Sequence, residues 1–188
     1  MFIQTEDTPN PQTLKFLPGK EVMKNNVMEI TDNSKALASP LAKRIFDIEG
    51  IKSIFLGSNF ITVTKDSNAE WQVIKPLALA AIMDHYMSGE PILSSNLVNH
   101  ADEEIIYDEL VDKQVIDQIT ELIETRVRPA VAQDGGDITF KGFKNGVVYL
   151  HMRGACAGCP SSTITLKNGI ENMLKHYIPE IESVEAIN

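Results

Sequence analysis

The residues Asn145-Gly146 lie between two runs of strand-like character, Ile138–Lys144 and Val147–Arg153, and they constrain the fold more than any other feature of the chain. Both central residues of a type I′ turn need positive φ, which Asn and Gly tolerate, so the sequence predicts a two-residue β-hairpin. A turn of that length also sets the pairing register. Lys144 then faces Val147, Phe143 faces Val148, and unbroken pairing carries Ile138 opposite Arg153. Helical patterns flank the hairpin. Upstream, Val115, Ile116, Ile119, Leu122, Ile123 and Val127 form a stripe that Pro129 is expected to stop, with Arg126 and Arg128 suited to the negative end of the helix dipole. Downstream, Leu166, Ile170, Met173, Leu174 and Tyr177 share one face of a second helix. Pro179 ends it, and Ile181–Ile187 reads as a last strand. The predicted order is helix, strand, strand, helix, strand.

The first half of the chain has a different pattern. Thr8-Pro-Asn-Pro11 predicts a turn leading into a strand at Leu14–Leu17, with a second strand at Val27–Ile30. Pro40 suits the first turn of a helix through Leu41, Ile45 and Phe46. Ile51–Leu56 and Phe60–Thr64 flank Gly57-Ser58-Asn59 as a hairpin with a three-residue loop. Trp71 to Tyr86 predicts a long apolar helix, with Pro76 kinking it or marking its start and Gly89 stopping it.

The chain has 188 residues, 43% of them hydrophobic, enough for one large domain or two small ones, and its charge distribution favours two. Residues 1–100 hold nine basic and eleven acidic side chains and residues 114–188 hold seven and nine, whereas the thirteen between hold six acids and one lysine. Such a run marks a solvated join. The expected organisation is a domain over 1–100, an acidic linker over 101–113 and a second domain over 114–188. Within the linker, Ile105, Ile106, Leu110 and Val111 suggest a short docked helical turn. The fold class is α+β: an N-terminal α+β domain followed by an α-β-β-α-β domain with a Cys-x-x-Cys loop before its second helix.

A net charge of −9 argues against nucleic acid and anionic membrane as partners, because polyanions are bound by clustered Lys and Arg. The longest apolar run, Leu77 to Met83, is too short to span a bilayer. Two cysteines are too few for a disulfide framework, and the first residues, MFIQTEDTPNPQ, lack a signal-type core. These features lead to an expected bacterial, reducing cytoplasm, and to an organelle only if a targeting peptide has been removed.

The two cysteines stand as Cys156-Ala-Gly-Cys159, followed by Pro160, which suits the first turn of the second helix. Two thiols at this spacing can grip one metal centre or form one short disulfide. They cannot alone supply the four ligands of a closed zinc site or an iron–sulfur cluster, so a centre held here is half-ligated unless a second copy, a partner or a small molecule completes it. Cys159 lies next to a helix N-terminus, which favours thiolate over thiol. Gly154, Ala155, Ala157 and Gly158 keep the loop small enough for a second copy to approach. The hairpin register brings Asp134-Gly-Gly-Asp137 to the same end of the sheet as the cysteines. Glycines there can let backbone approach the ligand and turn N–H groups towards anionic sulfur, or can simply shape a turn. His85, His100, His151 and His176 are scattered and read as ordinary core or solvated residues, although His151 stands five positions before Cys156.

The segments Arg128-Pro-Ala-Val-Ala-Gln-Asp-Gly-Gly-Asp137 and Gly154-Ala-Cys-Ala-Gly-Cys-Pro-Ser-Ser162 resemble the C-terminal domain of NifU, the Nfu domain. Thr8-Pro-Asn-Pro-Gln-Thr-Leu-Lys-Phe16 resembles the start of the domain that precedes it in two-domain Nfu proteins. The resemblance covers nearly the whole chain. It implies a non-enzymatic iron–sulfur carrier or late scaffold in which Cys156 and Cys159 bind the metal, bridging a cluster between the subunits of a homodimer. The cluster is most often 4Fe–4S, with 2Fe–2S the alternative. It implies an upstream assembly scaffold as donor and apo iron–sulfur proteins as acceptors. The U-type scaffold and ferredoxin-like parts of longer NifU proteins have no cysteines here to match them. Two other readings of the pair are a dithiol oxidoreductase, whose motif would place the proline between the cysteines, and a zinc-bridged interaction module.

Overall fold

The computed structural model describes residues 2–24, 26–94, 106–107, 113–158 and 160–187, with residues 106, 107 and 160–162 as backbone only. The chain divides into two compact units, Met1–His100 and Ala101–Asn188, each mixing helices and strands. The segment 101–113 lies largely outside the described residues.

The first unit is an antiparallel sheet of five strands with helices packed on it. β1 is Gln4–Asp7, β2 Thr13–Leu17, β3 Met28–Ile30, β4 Ile51–Leu56 and β5 Ile61–Lys65, in the order β1-β2-β5-β4-β3. The turn before β2 is built by its own side chains: Thr8 Oγ1 donates to the Thr13 carbonyl at 2.8 Å, and Asn10 Oδ1 accepts from Gln12 N at 3.0 Å. α1, Asn33–Ala36, starts at an Asp32 cap, and α2, Pro40–Phe46, starts at Ser39, whose hydroxyl accepts from Ala42 N at 3.1 Å. α3 runs over Trp71–Ser88 and lays Ile74, Ala78, Ile82 and His85 on the core at helical spacing. Gly89 ends it at φ 71°. Pro76 lies inside this helix on its exposed side, so it is not the start; the Gln72 carbonyl it leaves unbonded can face water. The β4–β5 loop has four residues, because Leu56 pairs with Ile61 and leaves Phe60 in the turn. β1 is an edge strand of polar residues with no apolar alternation to announce it.

In the second unit, β6 (Ile106–Tyr107), β7 (Gly136–Lys144), β8 (Val147–Gly154) and β9 (Ser183–Ile187) form one sheet in that order. β6 runs parallel to β7, pairing Ile106 with Gly142. The expected helical turn around Ile106 is therefore a strand, satisfying the free edge of β7. The helix expected to stop at Pro129 continues. α4, Lys113–Leu122, passes through a π-helical turn at Ile123–Val127 into α5, Arg128–Gln133. Pro129 has no N–H to give, and the Arg128 N–H bonds to the Ile123 carbonyl five residues back, so the wider turn absorbs the proline without ending the helix. α6, Pro160–Tyr177, covers the sheet with Ile170 and Leu174. Tyr177 is largely exposed, its ring 4.9 Å from the Arg126 guanidinium.

The Asn145-Gly146 turn has φ values of 50° and 76°, both positive as the hairpin requires. Lys144 pairs with Val147 and Phe143 with Val148. Beyond Gly142 the register departs from the expected one. A bulge at Lys141 inserts one residue, so Ile138 faces Met152, Asp137 faces Arg153 and Gly136 faces Gly154. The cause is packing. Phe143 faces the core, and strict alternation from it would turn Ile138 and Phe140 outwards; the extra residue keeps them on the core face, opposite Met152 and Leu150.

Candidate metal site

The Cys loop is a tight turn between β8 and α6, held by its backbone. The Ala155 N–H donates to the Gly135 carbonyl at 3.1 Å, Cys156 N–H to the Arg153 carbonyl at 3.3 Å and Ala157 N–H to the Gly154 carbonyl at 3.1 Å. Thr163, in the first turn of α6, donates its hydroxyl to the Cys156 carbonyl at 3.1 Å. Gly135, Gly154 and Gly158 have φ of 82°, 61° and 81°, left-handed conformations that side-chain-bearing residues rarely adopt. The amides of Gly135, Ala155, Cys156 and Ala157 thus go to carbonyls rather than to sulfur. The glycines act here through backbone freedom and small size.

Cys156 is 6% exposed and belongs to the core cluster of the second unit. Burial, followed by the carboxylates of Asp134 and Asp137, pushes its thiol up to about 12, so in this position it is protonated. Cys159 lies outside the described residues, as does His100. α6 begins at Pro160, as the sequence predicts. His151 accepts a hydrogen bond from Arg153 Nε at 3.3 Å, His176 stacks edge-on with Tyr177, and His85 is buried in the first unit. Among the described residues no three His, Cys, Asp or Glu side chains come together as a metal cluster.

Sequence reasoning missed the partly buried ion pair beside the loop. Arg128 Nε and Nη2 reach the two oxygens of Asp137 at 2.8 and 3.3 Å, and Nη1 reaches Glu124 at 2.8 Å. Arg128 therefore does not cap a helix end; it ties the π-turn and α5 to the strand residue after Gly136. Its presence could be suspected only from an Arg and an Asp bracketing the helix-to-strand connection.

No helix among the described residues is long and apolar enough to cross a membrane. Residues 3–89 match the family described as "Scaffold protein Nfu/NifU N terminal", and residues 119–185 match the "NifU-like domain". The whole chain aligns at 53% identity with a protein of Drosophila ananassae and at 54% with one of Drosophila willistoni, each named "NFU1 iron-sulfur cluster scaffold homolog, mitochondrial". It spans 64% of the length of each. A solution NMR structure of a NifU-like protein from Saccharomyces cerevisiae is similar at 30% identity with a TM-score of 0.42, covering 50% of this chain and 86% of that one. The relatives' mitochondrial names overturn the expectation of a bacterial cytoplasmic protein and point to an organellar one. A low cysteine count argues against an oxidising compartment but does not choose among reducing ones. With the two matched domains in this order and relatives aligned along its full length, the chain belongs to the two-domain Nfu family.

Proposed function

We propose that this chain is a non-enzymatic carrier that receives an iron–sulfur cluster, holds it between two subunits and passes it to apo-proteins. The observation that carries the reading is the single Cys-x-x-Cys pair at the head of α6, in a chain whose relatives are named iron–sulfur cluster scaffolds. One subunit brings two thiols and a twin brings two more, which completes the usual four-thiolate shell. The cargo is a 4Fe–4S cluster. On loading, each cysteine gives its proton to solvent as its sulfur bonds iron, so binding is coupled to proton release. For Cys156 this also means turning the sulfur out of its buried seat. On transfer, an acceptor thiolate takes the iron, the sulfur–iron bond to the carrier breaks, and the freed thiol regains a proton. A donor scaffold upstream supplies the cluster.

A dithiol oxidoreductase is the weaker reading. An attacking cysteine is accessible and has a lowered pKa, whereas Cys156 is buried with its pKa raised. Anoxic reconstitution with iron and sulfide, followed by metal counting, Mössbauer spectroscopy and native mass measurement, tests the proposal. The expected species is a dimer with one 4Fe–4S cluster that activates an apo-acceptor. A loaded monomer, or a holo-dimer that never activates an acceptor, overturns it. Cys156→Ser should abolish loading while far-UV circular dichroism stays that of the parent; an unfolded variant contradicts this.

A further inference from the structure

A Cβ built on Gly136 would lie well inside 3.0 Å of Cys156 Sγ, 2.9 Å from Cys156 N and 3.0 Å from the Arg153 carbonyl oxygen. Real Cβ atoms essentially never come so close, so the sulfur occupies the space a side chain would fill at position 136. Gly136 faces Gly154 in the ladder, and the bulge at Lys141 makes that pairing; an unbulged β7 would bring Gly136 opposite Ala155 and Asp137 opposite Gly154. The bulge thus chooses which residue meets the thiol, and places the Asp137 carboxylate one position away, beside Arg128. From this we infer that Gly136 is a positioning residue for the metal-binding loop: its missing side chain is the seat in which Cys156 Sγ is stored before it is used. The inference rests on the carrier reading for its purpose, but the seat itself is a property of the metal-free chain and can be tested there.

The test uses the full chain carrying Cys159→Ser, so that Cys156 is the sole thiol, and follows its reaction with iodoacetamide. Gly136→Ala is expected to raise the alkylation rate at least about tenfold while amide NMR dispersion is kept, because the displaced sulfur enters solvent. Gly169→Ala, at a helical glycine whose added Cβ meets nothing within 4 Å, should leave the rate within about twofold. A folded Gly136→Ala chain with an unchanged rate, or a rise matched by Gly169→Ala, overturns the inference. Should Gly136→Ala not fold, the same change is made with Cys156→Ala. Recovery of the fold supports a sulfur seat, and failure in both backgrounds assigns the clash to backbone and overturns it. Iron and sulfide loading of the parent chain is measured in parallel. A parent that loads no cluster defeats the carrier reading and leaves the alkylation result standing.

Discussion

Two of the antiparallel hairpins, β4–β5 and β7–β8, each press a glycine against a buried group, at opposite ends. In the β4–β5 hairpin the glycine is Gly57, at the turn, where an added Cβ would lie 2.5 Å from the Phe60 ring. That ring packs 5.9 Å from Phe55 and lies under the Lys15 ammonium, so the arrangement closes a loop. In the β7–β8 hairpin the glycine is Gly136, at the open end, and the group is the Cys156 thiol. The steric device is the same; what it packs differs. A glycine's place in a turn or strand does not disclose its purpose, and the atom filling its missing side chain does.

Breaking the first hairpin should cost stability and nothing else. Gly57→Ala forces Phe60 to move in a packed setting, which typically costs about 1–3 kcal/mol. Urea unfolding of the first domain should show that loss, with iron and sulfide loading unchanged. Impaired loading would mean that the two hairpins are not separable in function.

The hairpin turn was legible because Asn-Gly admits few alternatives. The bulge was less so, although its signal is in the residues: β8 puts Val148, Leu150 and Met152 on the core face, and β7 can match them with Phe143, Phe140 and Ile138 only by skipping a residue. Helix continuity through Pro129 was hidden because a proline's cost depends on whether a neighbouring turn can widen, and that is decided by packing. The two cysteines could be read as candidate ligands from spacing. The burial of Cys156 could not, since it arises from Gly136, twenty positions earlier in the chain, meeting it across the sheet.

A subtler contrast separates two of the buried titratable groups, Cys156 and His85. His85 is 1% exposed, and neither ring nitrogen has a hydrogen-bond partner among the described residues. Burial, then the Arg44 guanidinium, lowers its pKa below the ordinary 6.5, with Glu90 opposing. An imidazole that stays neutral when folded and protonates freely when unfolded leaves stability complete above about pH 6.5 and removes it as the pH falls below that value. The urea midpoint of first-domain amide signals should therefore drop between about pH 7.5 and 5.5, and His85→Leu should flatten that dependence. An equal slope in the variant would place the titration elsewhere. The smallest expected effect is a gain: Gly169→Ala, in open space on α6, should stabilise the second domain by roughly 0.5–1 kcal/mol in the same denaturation series, without touching the first.

Trp71 is the chain's single tryptophan, and its indole N–H is bonded to the Pro11 carbonyl at 3.0 Å, anchoring the turn before β2. Its fluorescence therefore belongs to one half of the molecule, while any iron–sulfur chromophore would belong to the other. Energy transfer from that indole to a loaded cluster would dim the emission according to the separation, so excited-state lifetimes could serve as an unlabelled ruler between the domains during loading and release.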